Sequence, residues 1–351
     1  LLEGSDLYEV GQSPYGRVNK GTVIMILAKL YLNAEVYTGT AKYQECADVL
    51  AKLDGKYSLH NKYQELFLAD NHKCTDEIIW SVEQDGNDVQ SYGVTNYLIF
   101  ACTGGDMDTK EIGISSGWGG LRTTPEFYKN FSDNDARKLF FTEKEQEVVL
   151  KRNYETYVAD TKKANEEGKK NDPKFEEEKI KTYEDWLGED KKWQQADIEL
   201  VSEFTHGYGI MKFKNINSDG TKGKAEGFVD TDFPVFRYAD ALLMKAECAK
   251  RGATGVDGLA AFNAVRKRAG LSEVQEYSLE NVLQERACEL YMEGWRRSDL
   301  VRFGKFTSAS KLWQWKGGVK AGKGVSAHLN LFPIPSNDLN ANSNLVQNPG
   351  Y

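Results

Sequence analysis

The glutamates Glu289 and Glu293 are the first side chains in this sequence whose spacing suggests acid–base chemistry. Residues four apart share one face of a helix, so the two carboxylates could be drawn as a general acid and a general base. The same stretch offers each of them a cation, Arg286 at three residues from Glu289 and Arg297 at four from Glu293. Further arginines stand on neighbouring predicted helices, at Arg237, Arg266 and Arg268. We therefore interpret the glutamates as members of a structural ion-pair network.

A second pattern, Gly113-Ile-Ser115-Ser-Gly117, matches the turn that carries the nucleophile of many hydrolases. That turn requires a core strand before the serine and a helix after it. A glycine-rich loop follows Ser115, and no alternation of strands and helices surrounds it. We predict that Ser115 is not a nucleophile.

Phosphate and metal sites are also suggested only in part. Gly317 to Lys323 has the spacing of a phosphate-binding loop, but Gly324 replaces the Ser or Thr that would bind Mg²⁺. Asp85 to Asp88 and Asp106 to Asp108 begin like calcium loops, yet the positions that follow lack the expected oxygen ligands. We predict no cofactor and no metal.

The loop from Tyr92 to Arg122 combines aromatic residues with polar ones. A sugar ring has a C–H face and hydroxyl edges, so its binding site needs a flat aromatic surface beside polar groups. Trp118 is the strongest stacking candidate because its flanking glycines allow a loop to project an indole, although packing in the core is the open alternative. The other candidates for ligand binding are Tyr92, Asn96, Tyr97, Asp106 and Arg122.

These residues require a scaffold, and apolar residues at steps of three and four predict one made of amphipathic helices. Residues 17–60 and 233–306 carry this pattern, and Gly252, Gly255 and Gly270 stand where helices should end. Small residues on facing helices favour tetratricopeptide-like helix pairs. The predicted fold class is therefore mainly α, with long irregular loops and a few short strands.

Residues 85–232 are predicted to be a loop-rich, ligand-facing region within one unit that spans residues 1–351. Inside it, residues 142–197 are crowded with Lys and Glu and are predicted to be a solvated insertion. Three aromatic residues of the insertion either cover its own small core or face a ligand; they are Tyr183, Trp186 and Trp193.

Bulk properties exclude several classes of protein. A formal charge of −8 and a pI near 5.3 argue against an extended nucleic-acid surface. No apolar run is long enough to predict a membrane span. The five cysteines are an odd number without close paired spacing, so neither a disulfide framework nor a zinc motif is predicted, and Cys46, Cys248 and Cys288 are interpreted as small core residues.

Several motifs in order resemble the SusD/RagB family of outer-membrane nutrient-binding lipoproteins of Bacteroidetes. In chain order they are Gly16-Arg17, Leu27 to Asn33, Asp76 to Val82, Gly117 to Gly120, Pro125 to Phe131 with Asp133, Asp135 and Arg137, Leu331 to Pro335, and Gln347 to Tyr351. No single motif is specific, but chance is a poor explanation of their shared order.

The resemblance implies non-catalytic binding of a glycan or oligosaccharide at the cell surface, with the Gly-Trp118-Gly region near the ligand. It also implies a lipid anchor in the outer membrane and a SusC-like TonB-dependent transporter as partner. The family's first helices and part of its ligand surface precede the position of Gly16, so an N-terminal portion is expected outside this sequence. The alternatives are a peptide or glycopeptide ligand, a glycoside hydrolase, and a scaffold that binds only protein.

Overall fold

A computed structural model describes residues 6–105, 107–188, 207–307, 312–314 and 319–351. Helices dominate this part of the chain and the strands are few and short, which confirms the predicted fold class. The first helices are α1 (Lys20–Leu32), α2 (Ala34–Thr38), α3 (Tyr43–Leu50), α4 (Val94–Cys102), α5 (Thr109–Ile112), α6 (Pro125–Tyr128), α7 (Glu143–Asn171) and α8 (Tyr183–Leu187). The later ones are α9 (Tyr238–Lys250), α10 (Gly258–Arg268), α11 (Leu279–Glu289), α12 (Arg296–Arg302) and α13 (Ser336–Ala341). The strands are β1 (Ile78–Val82), β2 (Phe140–Phe141), β3 (Gly209–Ile210) and β4 (Phe233–Arg237).

Side-chain caps explain where several helices begin. The Asn19 side chain accepts a hydrogen bond from the Thr22 amide at 3.1 Å, and the Thr22 hydroxyl accepts one from the Asn19 amide. Ser278 caps α11 in the same way. Helix α10 ends as predicted before Gly270, whose φ of +80° is the left-handed conformation that glycine adopts without strain.

Helix α9 is the centre of the tetratricopeptide-like scaffold, and α1, α3, α10 and α11 pack around it. Every residue of α9 from Tyr238 to Cys248 is buried. Three of these are alanines, whose small side chains permit close helix packing. The core beneath contains Met25, Leu50, Leu243, Phe262 and Val265, and the buried Cys46 and Cys248 fill it as predicted.

Two antiparallel strand pairs connect distant parts of the chain. Strand β1 pairs with β4, with Ile78 opposite Arg237 and Val82 opposite Phe233. Strand β2 pairs with β3, with Phe140 opposite Ile210. A second apolar cluster lies under the loop-rich part and includes Tyr63, Phe67, Ile99, Phe213 and Val229. The β1–β4 pair therefore brings together the two ends of the region between residues 85 and 232, and the β2–β3 pair lies within that region.

The charged stretch after residue 142 forms the long, mostly exposed helix α7. The Trp186 ring of α8 lies 5.6 Å from that of Tyr154 and 6.2 Å from that of Tyr157, both on α7. Tyr183 also packs against Tyr154, at 5.2 Å. These half-buried aromatic residues pack against one another, which agrees with the expectation that they cover a small core of the insertion. Trp193 lies outside the described residues.

A buried ion-pair network is centred on Glu289. Arg237 donates to Glu289 at 2.9 Å, to Glu293 at 2.7 and 2.8 Å, and to Glu77 at 2.5 Å. Arg268 and Arg137 also bind Glu289, so three guanidinium groups surround one carboxylate. Burial alone would raise the pKa of Glu289, but these arginines hold it well below its usual value. The structural interpretation of Glu289 and Glu293 is confirmed.

Both expected local pairings, Arg286 with Glu289 and Glu293 with Arg297, are wrong. The helix ends at Glu289, and Met292 has a φ of +64°, so Glu293 does not share a helix with Arg297. Glu293 binds Arg237 and the buried Lys212. Arg286 binds Asp240 at 2.8 Å and Asp299 at 2.9 Å instead of Glu289. Local spacing suggested neighbours on one helix, whereas these charges pair between elements.

A second network links α1, α9, α11 and α12. Arg302 binds Glu247 and Asp299, and Asp299 also binds Arg286. Lys29 binds Asp240, and its ammonium nitrogen lies 3.4 Å from the centroid of the Trp295 ring. Burial alone would raise the pKa of Asp240, but Lys29 and Arg286 outweigh it and lower the pKa to about 2.

We expect Arg237→Met to destabilise the protein by about 3–5 kcal/mol, because it leaves the buried Glu77, Glu289 and Glu293 without a shared counter-charge. Urea denaturation followed by circular dichroism measures the change. The control is Lys151→Met, which breaks the exposed pair with Glu147 and should leave the denaturation midpoint unchanged. Equal midpoints for the two variants would show that the buried network does not stabilise the fold.

We expect the stability advantage of the wild type over Asp240→Asn to shrink in acid. Because the folded-state pKa of Asp240 is lowered to about 2, its contribution is complete above roughly pH 4 and is lost as the pH falls through the folded value. Urea denaturation at intervals from pH 6 to pH 2 tests this. The exposed Asp160→Asn serves as control and should give a curve parallel to the wild type. A constant gap between wild type and Asp240→Asn would contradict the expectation.

Candidate functional site

Helix α4 carries two of the six predicted ligand-binding residues, Asn96 and Tyr97. Tyr97 is on α4 and 46% exposed, and its ring centroid is 5.6 Å from that of Trp118, which is 48% exposed. The two rings are inclined by 59°. The alternative that Trp118 is a core residue is therefore wrong, and the structure places it beside Tyr97 on the surface.

The loop that carries Trp118 is fastened to the C-terminal half of α4. The Trp118 amide donates to the Phe100 carbonyl at 3.0 Å, and the Gly119 amide donates to the Thr103 carbonyl at 2.9 Å. A Cβ at Gly117 would stand 2.2 Å from the Thr103 carbonyl oxygen, so only glycine permits this approach. The flanking glycines thus let the backbone press against the helix while the indole stays exposed.

The Arg122 side chain also fastens the loop that carries Trp118. Its guanidinium donates to the Gly104 carbonyl at 2.9 Å, and its Nε donates more weakly to the Gly119 carbonyl at 3.4 Å. The side chain is half-buried and holds the two ends of the loop together. Asp106, also a predicted ligand-binding residue, lies outside the described residues.

A second aromatic pair stands at the other end of α4. Tyr92 is 81% exposed, and its ring centroid is 5.0 Å from that of Phe228 at an angle of 52°. Sequence reasoning overlooked Phe228. The sequence feature that could have identified Phe228 is that it is a single aromatic residue after Gly227, in a segment otherwise rich in Gly, Lys and Asp.

Asn96 is buried and has a structural partner. Its side-chain oxygen accepts a hydrogen bond from the Val229 amide at 3.1 Å, and only 4% of the residue is exposed. The adjacent Thr95 hydroxyl donates to the Thr231 carbonyl at 2.5 Å. These two bonds attach α4 to residues 229–231, so Asn96 supports the aromatic surface and offers it little exposed area.

A polar pocket next to this surface is lined by carboxylates and lysines, including Glu83, Asp85, Asp88, Lys224 and Asp230. Asp85 accepts hydrogen bonds from the Asn87 and Asp88 amides at 2.9 Å and pairs with Lys224. Lys224 and these amides lower the pKa of Asp85 to about 2. The carboxylate at the start of the motif that resembles a calcium loop is thus engaged by protein groups.

Burial raises the pKa of Asp232, at the back of this pocket, to about 6. Within the described ranges, no group of three or more His, Cys, Asp or Glu side chains is arranged to hold a metal ion.

Ser115 does not stand on a nucleophile turn. The short helix α5, and not a strand, precedes it. Its amide and its hydroxyl both donate to the Glu226 carbonyl, at 3.1 and 3.4 Å. This arrangement fastens the loop and lacks the context that activates a serine.

The helices of the described segments include none that combines the length and the apolar character needed to cross a bilayer.

The candidate site is an exposed surface with two aromatic pairs, Tyr97 with Trp118 and Tyr92 with Phe228, both attached to α4.

Comparisons with known proteins agree with this architecture. A sequence model of the SusD family matches residues 76–351. The chain is 35% identical, over 359 residues, to the starch-binding protein SusD of Bacteroides thetaiotaomicron, covering 99% of this chain and 63% of that protein. The chain thus spans less than two thirds of the length of this relative.

Solved structures share the fold. Surface glycan-binding protein A from Bacteroides thetaiotaomicron gives a TM-score of 0.68 at 22% identity, over 98% of this chain and 66% of that one. A laminarin-binding SusD-like protein gives 0.60 at 24% identity, over 96% and 63% of the two chains. The resemblance suggested by the sequence motifs is confirmed: this chain belongs to the SusD family.

Proposed function

We propose that this protein binds a glycan or oligosaccharide on the surface formed by Trp118, Tyr97 and Tyr92, without catalysing its breakdown. The observation that carries the proposal is the exposed pairing of Tyr97 with Trp118 on the same helix that positions Tyr92. Rings held in place by the backbone can contact the C–H faces of sugars at little entropic cost. Arg122 and Asp106 are proposed as polar neighbours of the stacked sugar.

The inclination of the rings within each pair is relevant to the shape of the ligand. Angles of 59° and 52° mean that neither pair forms one flat sheet. Such surfaces suit a curved chain of sugars better than a flat crystalline one. Relatives support the ligand class, since one is named a starch-binding protein and a structural neighbour was solved with laminarihexaose.

Non-catalytic binding is favoured by the condition of the best carboxylate candidates. Glu289 and Glu293 are buried and bound to arginine, so they cannot flank a glycosidic bond. A glycoside hydrolase requires two carboxyl groups on opposite sides of an open cleft. We therefore propose a binding protein and not an enzyme.

We further propose that the protein acts at the cell surface of the outer membrane through an N-terminal lipid anchor and passes its ligand to a SusC-like TonB-dependent transporter. Family membership supports both points. The proposed organisation is a single unit, with 17–60 and 233–306 as scaffold and 85–232 facing the ligand. Attachment of α4 to residues 229–231 supports a joint role for that region.

We expect Trp118→Ala to weaken glycan binding about tenfold, because loss of one stacking ring removes roughly 1.5 kcal/mol of contact free energy. Titration calorimetry of the full-length protein against plant, host and microbial glycans first identifies the ligand and then measures the variant. Tyr37→Ala is the matched control, since Tyr37 is 64% exposed but lies on α2 of the scaffold.

Binding that is lost equally in Tyr37→Ala, or retained in Trp118→Ala, would exclude the proposed surface. If a folded wild-type protein binds no glycan, a panel of peptides and glycopeptides tests the alternative nutrient class. Binding of the transporter alone would indicate a protein scaffold.

A further inference from the structure

We propose that Val94 is a positioning residue for the glycan surface: its left-handed backbone conformation fixes how residues 91–93 leave α4 and thereby holds Tyr92 against Phe228. The inference rests on the proposed function and extends it from the ring that contacts sugar to the residue that places that ring.

Val94 has an unusual backbone conformation. Its φ is +53°, although it is the first residue of the right-handed helix α4, where a φ near −63° is normal. Among the described residues, Met292 is the other non-glycine residue with positive φ. A β-branched side chain is particularly unfavourable there because its Cβ crowds the backbone. The surrounding structure must therefore impose this conformation.

Contacts on both sides of Val94 account for its positive φ. On the helix side, Thr95 donates to the Thr231 carbonyl at 2.5 Å, and Asn96 accepts from the Val229 amide at 3.1 Å. On the loop side, the Gly93 amide donates to the Ser91 hydroxyl at 3.1 Å. That bond lies within the loop, and the packing of Tyr92 against Phe228 attaches the loop to its surroundings. Val94 therefore links a helix fixed by hydrogen bonds to a loop held by a ring contact.

The same backbone segment that receives the helix also supplies the partner of Tyr92. Phe228 immediately precedes Val229, and its ring packs 5.0 Å from that of Tyr92. Two contacts therefore join residues 92–96 to residues 228 and 229. They are the hydrogen bond between Asn96 and Val229 and the packing of Phe228 against Tyr92. A negative φ at Val94 would swing residues 91–93 away from the helix and open the ring contact.

Val94→Pro tests this with little harm to the helix. Proline is favoured at the first position of a helix, where the amide has no intrahelical acceptor, but it fixes φ near −65°. Val94→Asn is the matched control, since asparagine retains a Cβ and tolerates positive φ. Circular dichroism and thermal unfolding check that both variants fold.

A double-mutant cycle in the full-length protein then separates positioning from a general structural role. With the oligosaccharide identified by the glycan panel, we expect Val94→Pro to weaken binding by the same factor as Tyr92→Ala, roughly threefold to tenfold. Tyr92→Ala in the proline background should add no further loss. Trp118→Ala in the Val94→Pro background should reduce the affinity by the same factor as it does in the wild type. Val94→Asn should bind with an affinity within about twofold of wild type. Additive losses for Val94→Pro and Tyr92→Ala would overturn the proposal.

A measurement without sugar distinguishes failure of this inference from failure of the proposed function. Fluorine NMR of protein labelled with 3-fluorotyrosine identifies Tyr92 as the resonance that disappears in Tyr92→Phe. We expect Val94→Pro to move this resonance to its position in Phe228→Ala, because the ring current of Phe228 is lost in both. Val94→Asn should leave it in place. An unmoved resonance in Val94→Pro overturns the inference even if glycan binds.

A moved resonance in a protein that binds no glycan supports the positioning of Tyr92 and rejects the proposed ligand. If Val94→Pro does not fold, Thr95→Val replaces it, because it removes the hydrogen bond to the Thr231 carbonyl that helps to impose the positive φ on Val94. The Tyr92 resonance should then broaden and the affinity should fall towards that of Tyr92→Ala. A sharp, unshifted line with wild-type affinity would contradict the proposal.

Discussion

The contact between Glu289 and three arginines determines the arrangement of the rest of the molecule. Arg237 comes from β4, Arg268 from α10 and Arg137 from the loop before β2, so one carboxylate at the end of α11 joins four parts of the chain. Removing several charges from water is unfavourable unless each finds its partner. The network therefore specifies one relative placement of these elements, which apolar packing alone would allow to vary.

The ligand surface depends on that placement through a short backbone connection. Residues 229–231 receive the hydrogen bonds of Thr95 and Asn96, and the chain continues from there directly into β4 and Arg237. Helix α4, and the aromatic residues around it, are thus attached to the strand that ends in the buried network. The exposed rings are thus placed by elements that the buried network holds together.

Sequence periodicity was sufficient to predict the helices of the scaffold, because each repeats apolar residues every three or four positions. The glycines on either side of Trp118 indicated that residue, and they mark the close approach of its loop to α4. Sequence patterns could not identify Phe228 as the partner of Tyr92, or assign Asn96 to the interior, since both depend on contacts between distant segments. The pairing of Glu293 with Arg297 failed for a different reason: helix α11 stops at Glu289, and the spacing of the charged residues does not encode that end.

The buried network also has a consequence for the order in which the protein folds. Arg237 meets a glutamate 160 residues away, Arg137 meets one 152 residues away, and Lys212 meets one 81 residues away. These charges remain hydrated until long loops have closed, and loop closure at such separations slows folding. We expect helical hairpins such as α9 with α10, which rest on local contacts, to form before the network. Dehydration of the charged centre is then expected as the last step of folding, and it would fix the helices and the ligand surface together.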